Sequence, residues 1–446
     1  MRYFPNSENS VKAMLKSVGV KSVEELFSSI PPSNLTKDKV DYGKPLSEPD
    51  IIEFFKKLEG ENKVKDYKLF LGGGSYFHHI PEVVNYLSMK GEFVTPYTPY
   101  QPEVSQGTLQ ATFEYQTMIS NLTGMEFSNA SLYDGATAAA EGLLLAWRVT
   151  RKNKFLIAKS LHPEYISTIK TYIKNLNIEF DFIDYDEDGR VSKDDFNKKF
   201  NEEIGGILIQ SPNFFGIIED YKWIKDKIGE SKTLLISVIA ETLSLGILKP
   251  PSEFGTDVVV GDAQSFGLYP YFGGPTLGFI TTSNKKFLWE MPGRIVGETV
   301  DAEGKRGFVL TLSTREQHIR RERATSNICS NQAWCVIRAA IFLSVYGKKG
   351  LRELAKQNLI KANYAKKRIK EIGIKIRFNG PIFNEFVIET ENAEETHRKL
   401  LDKKIVAGIP LRWFYPEDEK GILLTFTEVN KKAEIDELVK ALEENK

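Results

Sequence analysis

Between Asp257 and Phe279 the chain reads DVVVGDAQSFGLYPYFGGPTLGF, and the residues at its centre decide what covalent chemistry the chain can own. The β-branched run Val258 to Val260 turns through a polar segment centred on Gln264, and apolar sequence returns at Leu277 after the Gly273-Gly274-Pro275 break. That pattern describes a loop held between two buried strands. Holding a carbonyl compound there as an imine would take a desolvated lysine amine. The polar run offers Asp262, Ala263, Gln264 and Ser265, and no lysine. The carboxamide nitrogen of Gln264 cannot form an imine, because its lone pair is delocalised into the carbonyl. The chain reads as an enzyme scaffold without its nucleophile.

The loop resembles the one that presents the cofactor lysine in fold-type I pyridoxal phosphate (PLP) enzymes. In such folds a helix N-terminus with exposed amides holds the phosphate. Here a tight turn at Tyr133-Asp134-Gly135 opens a helix, and Asp134 is expected to cap it. A carboxylate then stands where a phosphate would go, and two anions at one site repel. Glu241, at the end of the strand 234–240, could take the place of the acid that pairs with a pyridine nitrogen, but an ordinary rim carboxylate is the expectation.

Other chemical signals read as structural. Gly72 to Gly74, in FLGGGSYFHHIPEVV, are expected to form a flexible turn, since no strand and P-loop lysine frame them as a phosphate cradle. His78 and His79 are adjacent and share neither a helix face nor a strand face, so they make no metal pair, although one could line a pocket. DYDEDGRVSKDD, Asp184 to Asp195, matches an EF-hand loop in its acidic positions and Gly189. It follows a period-two strand, FDFI, and ends in Asp, so an Asp/Gly turn is expected. Cys329 and Cys335 read as packing residues, and no metal site is expected. Arg315, Arg320, Arg321 and Arg323 interleave with Glu316 and Glu322 as a solvated, salt-bridged helix face. Thr325, Ser326 and Asn327 carry donors able to reach a phosphate from outside, across an interface.

The elements that must position these residues are legible from periodicity. The first seventy residues read as a helical arm: Ser22 with Glu25 is a capping box, Pro31-Pro32 ends that segment, and Ser47 starts a second helix. That helix presents Ile51, Phe54, Phe55 and Leu58 on one face, with either another subunit or its own domain as partner. Pro96, Pro99 and Pro102 impose an extended, stiff strap carrying Tyr97 and Tyr100. It is either a binding surface or a tight connection whose tyrosines merely pack. A helix follows, with Leu109, Phe113, Ile119 and Leu122 on one face and Gly124 as its stop. From Ala130 to about Leu248 strands at 155–158, 180–183, 206–212 and 234–240 alternate with helices, which means a mainly parallel sheet covered on both faces. A ligand would sit at the carboxyl ends of those strands. Beyond residue 330 come helices, further strands near 374–377, 383–388 and 422–426, and a C-terminal amphipathic helix. The expected domains are residues 1–70, 71–330 and 331–446.

Composition narrows the class. With 446 residues the chain suits a large domain plus smaller ones, and 60 Lys+Arg against 60 Asp+Glu leaves no net field for nucleic acid or an anionic membrane. Two cysteines argue for a reducing compartment. The N-terminus MRYFPNSENS lacks a signal peptide's apolar core and no run reaches membrane-spanning length, so a cytoplasmic location is expected.

Five longer runs carry a more specific resemblance: YTPYQPEVSQGTLQATFEYQT, NASLYDGATAAAEG, DVVVGDAQSFG, FGGPTLGF and TREQHIRRERATSNICSNQA. Together they resemble the glycine cleavage system P-protein family, in its N-terminal half or separate subunit 1 form, over nearly the whole chain. The resemblance implies an α/β, aspartate aminotransferase-like fold of fold type I. It implies a paralogous subunit 2 that carries the PLP lysine, so that Gln264 at the lysine position is expected. The activity implied is glycine decarboxylation, with the aminomethyl group passed to the lipoyl group of the H-protein, in a heterotetramer of two copies of each subunit. Since fold-type I active sites borrow groups from the neighbouring subunit, Tyr97, Tyr100 and Gln101 are expected to line the partner's pocket, and Thr325 and Ser326 to donate to its cofactor phosphate. The alternatives are a non-catalytic scaffold that only stabilises the partner or docks the H-protein, and a self-sufficient PLP enzyme using Lys249 or Lys159.

Overall fold

The computed structural model describes residues 6–36, 41–95, 97–328 and 330–445. Pro96 of the strap, Cys329 of the cysteine pair and the MRYFP start lie outside the described residues. The chain divides into two compact units, Met1–Val64 and Lys65–Lys446.

In the first unit, α1 (Glu8–Val18) begins where the Ser7 side chain accepts from Ser10 N–H and ends at Gly19, in the left-handed region at φ 87°. The Ser22–Glu25 signal caps only a 3₁₀ turn over Glu24–Phe27. Ser47 and Asp50 form the capping box of α2 (Glu48–Glu61), which runs through Gly60. No described residue of this unit is buried.

The second unit opens with the short strand β1 (Lys68–Leu69), α3 (Glu82–Ser88) and α4 (Gly91–Val94). Between α4 and α5 (Gln106–Thr123) the strap is not extended throughout: Pro102–Val104 make a 3₁₀ turn, because the fixed φ of Pro102 suits the first position of a helical turn as well as an extended strand. Then β2 (Phe127–Ser128), α6 (Gly135–Thr150), β3 (Lys154–Ala158), α7 (Pro163–Ile173), β4 (Glu179–Ile183), α8 (Lys193–Lys199), β5 (Ile204–Gln210), α9 (Tyr221–Ile228), β6 (Leu234–Ile239), β7 (Val258–Asp262) and β8 (Gly278–Thr282) follow. They build a seven-stranded sheet in the order β2-β8-β7-β6-β5-β3-β4. Strands β3 to β7 pair in parallel, and β8 runs antiparallel to both β7 and β2.

The alternation of side chains explains why the central strands are apolar throughout. Leu208, Ile236, Val238, Val258 and Val260 face Leu143 and Ala146 of α6 and Ile169 of α7. Ile207, Ile209 and Leu235 point the other way, toward Ile224 and Ile228 of α9. Both faces being covered, β5, β6 and β7 are buried along their whole length.

A hairpin not foreseen from sequence, β9 (Ile295–Val300) with β10 (Arg306–Thr311), precedes α10 (Gln317–Arg320) and the long α11 (Ala333–Glu371). After α11 come β11 (Lys375–Ile376), β12 (Glu385–Glu389), α12 (Ala393–Asp402), β13 (Ile405–Val406), β14 (Ile409–Pro410), β15 (Gly421–Thr425) and α13 (Lys432–Glu443). Four of these strands form an antiparallel sheet, β11-β12-β15-β14, while β13 pairs in parallel with β1. Phe214 and Phe215, just beyond β5, pack into the core of this smaller sheet with Phe386, Leu423 and Leu438. Cys335 of α11 is a buried free thiol whose pKa burial pushes up to about 12, in keeping with a packing role. Among the described residues no helix is long and apolar enough to cross a membrane.

Helix α11 is broken at Gly347, whose φ of 58° and ψ of −177° belong to a region open mainly to glycine. No atom lies within 4 Å of a methyl group placed there. Gly347→Ala is therefore expected to lower the unfolding free energy by about 1–3 kcal/mol through backbone strain alone, read as a lower urea midpoint at unchanged slope.

Candidate functional site

The carboxyl ends of β6 and β7 deliver Glu241 and Asp262 to a cleft closed on its far side by Asn384, Glu385 and Glu428 of the smaller sheet region. Gln264, two residues beyond β7, is buried within it. Its Oε1 accepts the Tyr76 N–H at 2.9 Å, and its Nε2 donates to the Tyr76 carbonyl at 3.1 Å and the Leu268 carbonyl at 2.6 Å. The carboxamide thus pairs with the Tyr76 main chain in both directions, as a neighbouring strand would. A lysine, donor only, could not do this.

The N-terminus of α6 is already occupied by carboxylates. Asp134 caps it by accepting from Thr137 N–H at 2.7 Å, as its position in the turn predicts. Asp262, which sequence reasoning did not place there, accepts from Gly135 N–H at 2.9 Å and from the Thr276 hydroxyl at 2.8 Å, and its other oxygen accepts from the Gln264 and Leu277 amides. Burial raises the Asp262 pKa above the usual carboxylate value while these four hydrogen bonds oppose it. A Cβ at Gly135 would collide with the Tyr165 phenol and Asp262, so only glycine fits.

The glycines at 72–74 are neither a flexible turn nor a phosphate cradle. Gly73 N–H donates to Glu385 Oε1 at 2.6 Å, and the Gly73 carbonyl accepts from His162 Nε2 at 2.6 Å. A Cβ at Gly72 would meet Thr425 and Glu385, one at Gly73 would meet Ile409 and one at Gly74 the His162 ring, so close approach explains all three residues. His162 accepts at Nδ1 from Glu164 N–H, and burial lowers its pKa to about 4, which leaves it neutral. Tyr76, at the end of this turn, donates its hydroxyl proton to Glu385 Oε2 at 2.9 Å, and burial lifts Glu385 to about 7.

His78 is the centre of the cleft. Its side chain is 2% exposed, with Nε2 at 3.0 Å from Glu241 and Nδ1 at 2.9 Å from Glu428. Both ring nitrogens face carboxylates, so the ring is an imidazolium. Burial disfavours that charge, yet Glu241 and Glu428 outweigh it and raise the pKa to about 10. Burial likewise opposes the Glu428 carboxylate, and the His78 cation prevails, holding it at about 2. Glu428 also accepts from His79 N–H at 2.6 Å and Asn358 Nδ2 at 2.8 Å. Glu241 accepts from Leu243 N–H at 2.9 Å and Asn384 Nδ2 at 3.2 Å. It is therefore a buried, fully engaged acid and not a rim carboxylate, because the loop carrying His78 folds over the strand end. Gln264, Glu241 and the α6 amides of Gly135 and Thr137 all have partners within the chain, and the residues present do not fit a PLP molecule in this cleft.

A second cluster lies on the rim. Tyr97 and Gln101 are exposed, and the Tyr97 hydroxyl accepts from Ser330 Oγ at 3.2 Å, joining the strap to the loop that carries Thr325 and Ser326. Tyr100 is half-exposed; its hydroxyl accepts from Arg294 Nη2 at 3.0 Å, with the guanidinium 4.9 Å from the ring centroid. Arg294, which went unnoticed in the sequence, and its ion-pair partner Glu316, 3.4 Å away and expected on a solvated face, are both buried. The arginine run is not one solvated helix face. Arg315 is buried and donates to the carbonyls of Met291, Gly293 and Leu312, which fixes the loop, while Arg320, Arg321 and Arg323 stay exposed. Ser326 donates to Glu141 inside the chain. The EF-hand-like segment is a turn, in which Asp186 accepts from Asp188 and Arg190 amides and Asp195 accepts from Asp184 N–H. Lys249 is exposed beside Glu253, and Lys159 pairs with Asp184 at 3.6 Å.

The His78 pKa, raised from 6.5 to about 10 on folding, means that its stabilisation is complete below pH 6.5 and is lost as pH rises toward 10. His78→Gln leaves Glu241 and Glu428 buried without their cation and is expected to destabilise the chain by about 3–5 kcal/mol at pH 7. Urea unfolding of both proteins from pH 6 to 10 checks this: the difference between them should shrink with rising pH.

A family model described as glycine cleavage system P-protein matches residues 1–442. A probable glycine dehydrogenase (decarboxylating) subunit 1 from Koribacter versatilis is 47% identical, covering 99% of this chain and 100% of that protein. A protein of the same name from Thermotoga maritima is 45% identical, with 99% of each covered. The crystal structure of a glycine decarboxylase (P-protein) of the glycine cleavage system, in inhibitor-bound form, superposes with a TM-score of 0.87 at 40% identity over 100% of both chains. A cysteine desulfurase from Thermococcus onnurineus, 14% identical, superposes at a TM-score of 0.62 over 85% of this chain and 95% of its own, and shares the fold alone. The fold is that of the fold-type I PLP-dependent transferases, and the chain belongs to the glycine cleavage system P-protein family.

Proposed function

We propose that this chain is subunit 1 of a cytoplasmic, glycine-decarboxylating P-protein, acting as a lysine-free partner to a separate subunit 2 that holds the PLP. The observation that carries this reading is the cleft itself, in which Gln264, His78 and Asp262 are each bonded within the chain. PLP, bound in subunit 2, supplies the electron sink for decarboxylation of glycine, and the aminomethyl group passes to the lipoyl group of the H-protein. Two copies of each subunit make up the assembly. The subunit 1 name of the relatives in two bacteria supports the separate partner.

The contribution of this chain is positional. Arg294 donates to the Tyr100 oxygen, so the hydroxyl proton of Tyr100 is left to point outward, toward an acceptor in the partner's pocket. Tyr97 and Gln101 line the same rim. Ser326 is engaged by Glu141, and the neighbouring Thr325 hydroxyl serves as the donor to the partner's cofactor phosphate. The Arg315 contacts keep that loop in one geometry, which is what a hydrogen bond across an interface requires.

Loss of a hydrogen bond to a charged acceptor costs about 1.5–3 kcal/mol. In the reconstituted complex, Tyr100→Phe should then lower turnover by roughly tenfold or more, and Thr325→Ala should weaken PLP affinity by a similar factor with turnover at saturating PLP little changed. Unchanged values in both variants would make the chain a scaffold. Borohydride treatment of the complex with PLP should leave the label on subunit 2 only, and label on this chain would overturn the assignment.

A further inference from the structure

A PLP site of this fold meets its cofactor at three places: a side chain at the imine end, an acid at the ring nitrogen and a helix N-terminus at the phosphate. In this chain all three are engaged internally. Residue 264 is bonded to the Tyr76 main chain, Glu241 to the His78 ring, and the α6 amides to Asp262 and Asp134. Tyr76 and His78 are two residues apart, with ring centroids separated by 6.2 Å, so one short segment spans the distance from Gln264 to Glu241.

We propose that Gly72–His79 is a built-in substitute for the cofactor, with the His78 imidazolium standing in for a protonated pyridine ring against Glu241. The inference rests on the reading of position 264 as the lysine position. It goes further, because it says that a lysine at that position would not by itself make room for the cofactor: the cleft is filled. It also gives the segment a second task. Glu241 and Gln264 belong to the large sheet, whereas Glu385, Thr425 and Glu428 belong to the smaller one, and the segment bonds to both groups. The plug therefore ties the two sheets together.

Two consequences can be measured on the full-length chain. Gln264→Lys should acquire no borohydride-trapped PLP at position 264, as read by peptide mapping, because a lysine alone does not evict the plug. His78→Gly should lose thermal stability and regain most of it with imidazole at millimolar concentration, but not with pyrazole, which has the same shape and is neutral at pH 7. If the glycine variant folds only when imidazole is present, that too is the expected rescue. A PLP adduct at position 264 in the single lysine variant would overturn the proposal, as would imidazole raising the melting temperature of wild type and His78→Gly equally. Failure of the underlying reading looks different, since PLP would then be trapped on a native lysine of the wild-type chain.

Discussion

The structure turns on one buried cation. An imidazolium inside a protein survives only if carboxylates surround it, and His78 has one on each side, Glu241 from the end of β6 and Glu428 from beyond β15. Neither acid can be supplied by the loop that carries His78. The smaller sheet must therefore come down over the strand ends of the larger one, and the chain between them must follow. Asn384 and Asn358 add a second donor to the same two oxygens that face His78, while the Leu243 and His79 amides satisfy the oxygens His78 leaves open.

Much else follows from putting a main-chain segment where the fold leaves room for a ligand. Backbone passing so close to other elements has no space for side chains, hence glycines beneath Thr425 and beside His162. Backbone so deep needs partners for its amides and carbonyls, and Gln264, Glu385 and His162 provide them. The α6 N-terminus takes two carboxylates from the chain itself. The rim, like the cleft, is held by buried side chains. Arg294 and Arg315 are both buried, one under the strap and the other under the loop before Thr325.

The sheet and its order of elements were legible because they are written in local periodicity. Continuous apolar runs at 204–210, 234–239 and 258–262 alternating with amphipathic helices leave few folds to choose from. The cap at Asp134 and the stop at Gly124 were equally legible, since each acts on residues three or four positions away. The hairpin at 295–311 left no comparable trace, and its pairing only appears once α5 provides Gln116 and Gln106 to receive its edges.

The sequence by itself determined that Gln264, and not a lysine, follows the strand at 258–262, and amide chemistry rules out an imine at that position whatever the fold. It could not say what the glutamine does instead, because Tyr76 is 188 positions away. Nor could it distinguish His78 from His79, which look alike in sequence; one becomes a buried cation between acids 163 and 350 positions distant, while the other is exposed and lends the same acid only its amide. Residue type and short-range spacing fix the available chemistry and the elements. Which groups meet across hundreds of residues is set by how whole sheets pack, and only the tertiary structure decided that.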